Sequence, residues 1–169
     1  MCIVIDTNCI SRVFDTDNVE HHEFEPVFEW ITRGKGKIVY GGSTYAKELE
    51  EMKTRRNVLK SFDKARKIVY INDVTVDDKE EEYKAHVNNR DFDDPHIVAI
   101  IAVSGVKLVC TNDDRSIPFL KNKKFYPKGK SPKIYTSKKN ANLLCDNNIA
   151  KCCKPANRLN KTMWELLTK

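Results

Sequence analysis

Four carboxylates in this chain stand where a carboxylate can do chemistry. Asp6 ends the apolar run Cys2-Ile3-Val4-Ile5, and Glu48 lies in the helical stretch Tyr45-x-x-Glu48-Leu49. Asp94 precedes Pro95 and an apolar run from Ile97 to Val103, and Asp113 closes Val109-x-Thr111-x-Asp113. Two of the four end strands, and two sit at the starts of helices. Like charges about 5 Å apart repel by about 3 kcal/mol per pair at an effective dielectric of about 20, so a cluster of acids makes sense mainly around a divalent cation. An all-oxygen ligand set without histidine favours Mg²⁺ or Mn²⁺ over zinc. Each residue also has a purely structural use: Asp6 and Asp94 as helix caps, Asp113 in a turn, Glu48 as a solvated helix acid. What points to a site is their joint placement.

That placement follows from the elements around them. Ile3, Val4 and Ile5 form a strand with no polar alternation, covered on both faces as in the middle of a parallel sheet. Thr7 and Asn8 are good N-cap residues for a helix that buries Ile10, Val13 and Phe14. The polar stretch from Asp15 to His22 reads as a loop. Glu25-Pro26 opens a helix that ends at Gly34 and Gly36. Lys37 to Tyr40 is a second strand, Gly41-Gly42 a tight turn, and Ser43 or Thr44 the cap of a helix carrying Glu48. A basic helix spans Thr54 to Lys67, Ile68 to Ile71 is extended, and an acid-rich helix runs from Val76 to Val87. Gly105 stops the buried helix that Asp94 opens, Val106 to Cys110 is a clear strand, and Pro132 to Thr136 a last edge strand. Strands alternating with helices imply an α/β fold with a central parallel sheet of four to five strands, right-handed crossovers, and all strand carboxyl ends on one edge.

The chain has 169 residues and a formal net charge of +6. Residues 1–144 read as one domain and 145–169 as a tail, with Lys138 to Leu144 a short helix and Leu159, Met163, Trp164, Leu166 and Leu167 on one amphipathic helix. No apolar run approaches the roughly 20 residues that cross a bilayer, and the start is not a signal peptide, so a cytoplasmic location with no membrane partner is expected. The six cysteines contain no C-x-x-C pair and are expected to be reduced; Cys145, Cys152 and Cys153 match no common zinc spacing. From Lys121 to Lys139 the chain carries eight lysines and no acid. Such a run is either a solvated surface or a cradle for a phosphate backbone.

Taken together, Asp6-Thr7-Asn8 after an apolar strand, Tyr45-x-x-Glu48-Leu49, Asp94-x-x-Ile97-x-Ala99 and Val109-x-Thr111-x-Asp113 resemble the PIN-domain (VapC-like) nucleases. The resemblance covers roughly residues 1–119, with Ile134-Tyr135 matching a last strand. It implies a three-layer α/β/α fold and a site where Asp6, Glu48, Asp94 and Asp113 bind one or two Mg²⁺ or Mn²⁺ ions. Asn8, Thr111, Asp93 and Asp114 would support that site. The implied reaction is two-metal phosphodiester hydrolysis leaving 5′-phosphate and 3′-hydroxyl ends. Single-stranded or structured RNA is the expected substrate, with DNA the alternative. Arg55, Arg56 and Lys60, with Lys121, Lys123, Lys124, Lys128 and Lys130, would grip the backbone without reading sequence. Two-metal chemistry needs no acid or base from His96. Small members of the family are often toxins paired with an inhibitory antitoxin protein, and a homodimer, a processing role or a defence role fits equally; the tail here exceeds the minimal toxin domain. Two other classes compete. A haloacid dehalogenase-like phosphatase also starts from a strand-end aspartate, but its general acid would fall at Asn8. A non-cleaving PIN-like binding module would not need all four carboxylates.

Overall fold

The computed structural model describes residues 2–52, 56–155 and 157–167, without the side chains of residues 56, 57, 166 and 167. Five strands, β1 (Cys2–Ile5), β2 (Lys37–Gly41), β3 (Ile68–Ile71), β4 (Leu108–Cys110) and β5 (Lys133–Tyr135), form one all-parallel sheet in the order β3-β2-β1-β4-β5. β1 is central because every residue in it is apolar and buried: Cys2, Ile3, Val4 and Ile5 are all 0% exposed. A fully buried Val or Ile contributes about 1.5–3 kcal/mol, which a sheet edge would forfeit. In register, Cys2 and Ile3 lie beside Lys37 and Ile38, while Val4 and Ile5 lie beside Val109 and Cys110.

Helices flank the sheet. α1 (Ile10–Phe14), α2 (His21–Thr32) and α4 (Arg56–Lys64) are joined through Phe14, whose ring lies 6.3 Å from Phe28 and 5.0 Å from Phe62. α5 (Asp73–His86) packs along α6 (Pro95–Ser104), and α3 (Ser43–Glu51) meets both at the carboxyl edge. A short α7 (Ile117–Leu120) follows β4, and α8 (Lys161–Leu167) packs on α4. No helix among the described residues is long and apolar enough to cross a membrane.

Several elements differ from the expectations above. α2 begins at His21 and carries Pro26 inside it. Proline so near the start forfeits only the bond to the carbonyl four residues back, so the preceding polar residues still join the helix. The cap of α3 is Gly42, at φ 87°, and not Ser43 or Thr44. α5 starts at Asp73, with the Asn72 side chain accepting from the Thr75 N–H. The stretch after β5 is a 3-10 helix, Lys138–Leu143.

Reduced cysteines throughout were also expected, and one pair overturns this: Cys2 and Cys153 form a disulfide, Cα–Cα 6.1 Å. The 3-10 turn Lys151–Cys153 sets Cys153, fully buried, against the start of β1. Cys9, Cys110, Cys145 and Cys152 remain thiols. Around that bridge, residues 145–155 run along the amino edge of the sheet. Lys37 Nζ donates to the Pro155 carbonyl at 2.8 Å and Lys107 Nζ to Asn147 at 3.1 Å. The buried Lys67 donates to the carbonyls of Gly34, Gly36 and Asn157.

Candidate metal centre

The opposite edge gathers the carboxylates. The backbone of β1 turns at Asp6 into the 3-10 turn Thr7–Cys9, and Asp6 caps that turn through the Asn8 N–H at 3.3 Å. Capping does not exhaust it. Asp6 Oδ2 also accepts from Asn8 Nδ2 at 3.0 Å and from Thr111 Oγ1, just past β4, at 2.7 Å. Asp6 is 3% exposed, and burial pushes its carboxyl up despite the Thr111 and Asn8 donors. Asn8 and Thr111 thus both donate to the Asp6 carboxylate. They also leave an amide, not an acid, at the position a dehalogenase-like phosphatase would need.

Glu48 arrives from α3. Gly41 and Gly42 make the sharp exit from β2: a Cβ on Gly41 would sit 2.2 Å from the Ile71 carbonyl oxygen, and Gly42 adopts a positive φ. Two α5 carboxylates then receive the first amides of the helix, Asp73 from Gly42 N–H at 2.7 Å and Asp77 from Ser43 N–H at 2.8 Å. One turn on, Tyr45 donates its hydroxyl to the Ile5 carbonyl at 2.5 Å, which pins α3 over the end of β1. Glu48 lies in the second turn, not the first. Its Oε2 accepts from Thr7 Oγ1 at 2.7 Å and faces His96 Nε2 at 3.5 Å. Burial opposes its charge, but His96 and Thr7 outweigh that and hold its carboxyl below the usual value.

Asp94 is the N-cap of α6 in backbone terms, with Pro95 pre-setting the first turn, yet its side chain makes no capping hydrogen bond. The carboxylate is left to the cluster. Burial first and the Asp6 charge second push it up to about 6, against the opposing pull of His96. His96, two residues into α6, is 1% exposed. Burial works against its charge, but Glu48, Asp94 and Glu80 raise it overall.

Two ligand groups share Asp94. One atom each from Glu48, Asp94 and His96 lie within 4.8 Å of one another, and so do atoms from Asp93, Asp94 and Asp113. In the second group Arg115 supplies a cation of its own, with Nη2 3.0 Å from Asp113 Oδ2 and 3.1 Å from Asp93 Oδ2. That guanidinium holds the Asp113 carboxyl below its ordinary value. Asp114 is exposed and joins neither group. The donor set, carboxylate oxygens and one imidazole, fits a divalent cation.

Comparison of the chain with protein-family models, with curated proteins and with solved structures finds no match in any of the three.

The basic residues are less concentrated than the acids. Lys121, Lys123 and Lys124 are exposed beside α7 and the 3-10 turn Lys123–Phe125, next to the aromatic cluster of Phe92, Phe119 and Phe125 that leads back to Asp94. Lys128 and Lys130 lie further on, where the chain approaches the start of β5 at the opposite edge. Lys60 lines a cleft of about 230 Å³ with Tyr40, Leu49, Glu50 and Asp63. Arg55 lies outside the described residues, as does the side chain of Arg56.

Two of the site's groups, Thr7 and Arg115, have little local signal. Thr7 looked like a cap and instead donates to Glu48. Arg115 was hidden in a polar turn. His96 had a readable clue: it is the one polar side chain between Pro95 and Val103 in a helix apolar nearly all round.

Proposed function

We propose that this protein is a metal-dependent endonuclease, an endoribonuclease of the PIN type, that hydrolyses phosphodiester bonds at the carboxyl edge of its sheet. The observation that supports this reading is that Asp94 is common to two groups of possible ligands, one with Glu48 and His96 and one with Asp93 and Asp113, and feels the charge of buried Asp6. Neutral uses do not account for that arrangement. Asp94 does not cap with its side chain, and its charge is opposed by burial and by Asp6.

Glu48 and Asp94, with Asp6 beside them, would hold one divalent ion, and Asp93, Asp94 and Asp113 would hold a second or stay paired with Arg115. When bound, Mg²⁺ or Mn²⁺ lowers the pKa of a coordinated water and stabilises the leaving oxygen. The chain's own residues supply orientation and charge. Thr111 and Asn8 fix the Asp6 carboxylate, Thr7 fixes Glu48, and Tyr45 ties the helix bearing Glu48 to the strand bearing Asp6. Arg115 carries positive charge beside Asp93 and Asp113, where a phosphate would otherwise meet only acids. Lys121, Lys123 and Lys124 extend that positive character along the adjoining surface and would bind backbone phosphates irrespective of sequence. Cleavage in this sense leaves a 5′-phosphate and a 3′-hydroxyl. A cytoplasmic RNA is the substrate proposed, with restraint by a small antitoxin-like protein as the corresponding regulation.

The test is cleavage of end-labelled single-stranded RNA and matching DNA in Mg²⁺, Mn²⁺ or EDTA, by the full chain and by its Asp6→Asn and Asp94→Asn variants. Metal-dependent cleavage of RNA that both substitutions abolish is the expected result. Salt-sensitive RNA binding without cleavage would replace the nuclease by a binding module. Turnover of a generic phosphomonoester that depends on Asp6 would replace it by a phosphatase.

A further inference from the structure

A buried imidazole nitrogen is ordinarily satisfied by a carbonyl, a carboxylate or a metal. His96 Nε2 is buried and makes no hydrogen bond. Its nearest charged neighbour, Glu48 Oε2, stands 3.5 Å away and already accepts from Thr7 Oγ1 at 2.7 Å. The ring is not swung aside into the core: it lies against Tyr45, centroids 6.2 Å apart, with its nitrogen on the Glu48 and Asp94 side. A 3.5 Å spacing is long for a hydrogen bond. It is ordinary for two ligands of one ion, because donors bound at about 2.1 Å lie roughly 3 to 4.2 Å apart around an octahedral centre. The mutual 4.8 Å limit on Glu48, Asp94 and His96 is within a small side-chain adjustment of that geometry.

We infer that His96 is a metal ligand, and that Glu48, Asp94 and His96 form a mixed oxygen and nitrogen site selecting Mn²⁺ or a later first-row divalent ion over Mg²⁺. This rests on the metal-dependent reading above and departs from it on ligand chemistry, since an all-oxygen set would favour Mg²⁺ equally. Mg²⁺ prefers oxygen and surrenders its waters reluctantly, whereas imidazole suits the transition ions and the preference strengthens along the first row. The second group, Asp93, Asp94 and Asp113, is all oxygen and already neighboured by Arg115, so the nitrogen-bearing position is the one that sets selectivity.

The experiment is Mn²⁺ and Mg²⁺ titration of the metal-free full chain by calorimetry, with electron spin-echo modulation of the Mn²⁺-loaded protein to detect a coordinated ¹⁴N. Wild type is expected to bind Mn²⁺ more tightly than Mg²⁺ and to show imidazole ¹⁴N modulation. His96→Gln is expected to lose the modulation and about ten-fold or more in Mn²⁺ affinity, with Mg²⁺ affinity changed far less. Should His96→Gln fail to fold, wild type grown on ¹⁵N-histidine decides, because a histidine ligand then loses its ¹⁴N signature. Mn²⁺ bound without nitrogen coupling overturns the role of His96 and leaves the metal-dependent nuclease standing. No Mn²⁺ bound at all overturns both.

Discussion

In the absence of metal, replacing Asp94 by Asn is expected to stabilise this protein, and to do so only where Asp94 would be charged. The folded-state pKa stands at about 6 against 3.8 for the free side chain, raised by burial, then by the Asp6 charge, with His96 pulling the other way. That difference corresponds to about 3 kcal/mol of destabilisation once the folded protein ionises. Because Asp6 shares the same repulsion, and the substitution also forfeits the attraction of His96, the expected gain is on the order of 2 kcal/mol. The sign follows from proton binding. Between pH 3.8 and about 6 the unfolded chain releases the proton that the folded chain keeps, so this contribution is fully present below 3.8 and lost as pH rises through 6.

Urea unfolding in EDTA should therefore place wild type and Asp94→Asn at similar midpoints near pH 4, and the variant higher at pH 8 with an unchanged slope. Saturating Mn²⁺ should reverse the order at pH 8, since ligand at a hundred times its dissociation constant adds about 2.7 kcal/mol to wild type alone. A variant less stable than wild type at pH 8 in EDTA, or a difference independent of pH, would refute the reasoning. Either would mean that His96 already compensates Asp94 and that no electrostatic tension awaits a cation.

Thr111→Val removes the 2.7 Å hydroxyl donor to buried Asp6; it should cost about 1–3 kcal/mol at pH 8 and less in acid as the raised carboxyl takes up its proton, as read from denaturant midpoints. Gly41→Ala should destabilise by about 1–3 kcal/mol in the same assay, because its Cβ would meet the Ile71 carbonyl oxygen at 2.2 Å and force β2 away from β3. Non-reducing peptide mapping should recover Cys2 linked to Cys153, and Cys2→Ser or thiol reduction should lower stability by about 2–4 kcal/mol, a bridge spanning 151 residues closing a long loop.

The parallel sheet could be read from the sequence because its signals are local. Ile3 to Ile5 and Leu108 to Cys110 are short apolar runs, and Pro95 and Gly105 bracket α6 at its two ends. Asp6 and Asp94 could be placed for the same reason, since each stands at the end of an element, whereas Glu48 lies a full turn inside α3. What escaped was set by contacts across the chain. The disulfide joins residues 151 apart, and nothing near Cys2 announces it. The α3 cap comes from Asp73 and Asp77, some thirty residues on, so Ser43 and Thr44 were misassigned on good local grounds. Pro95 marks Asp94 as the residue that opens α6, but only the fold sets Asp94 beside the Asp6 charge while Asp93 meets Arg115.

The two edges of the sheet are built on opposite terms. At the amino edge, Lys67 satisfies three carbonyls, Lys37 and Lys107 each hold a carbonyl of the tail, and Cys2 is bonded to Cys153. At the carboxyl edge, acids are drawn together, Asp6 and Asp94 hold their protons more tightly than free carboxyls, and His96 Nε2 has no hydrogen bond. A closed edge secures the strands whose far ends carry the acids, so it can offset the repulsion that Asp6 and Asp94 bring to the fold. The arrangement predicts the direction of coupling. Loosening the tail should weaken metal affinity by letting the carboxylates spread, whereas removing a carboxylate should leave the tail in place.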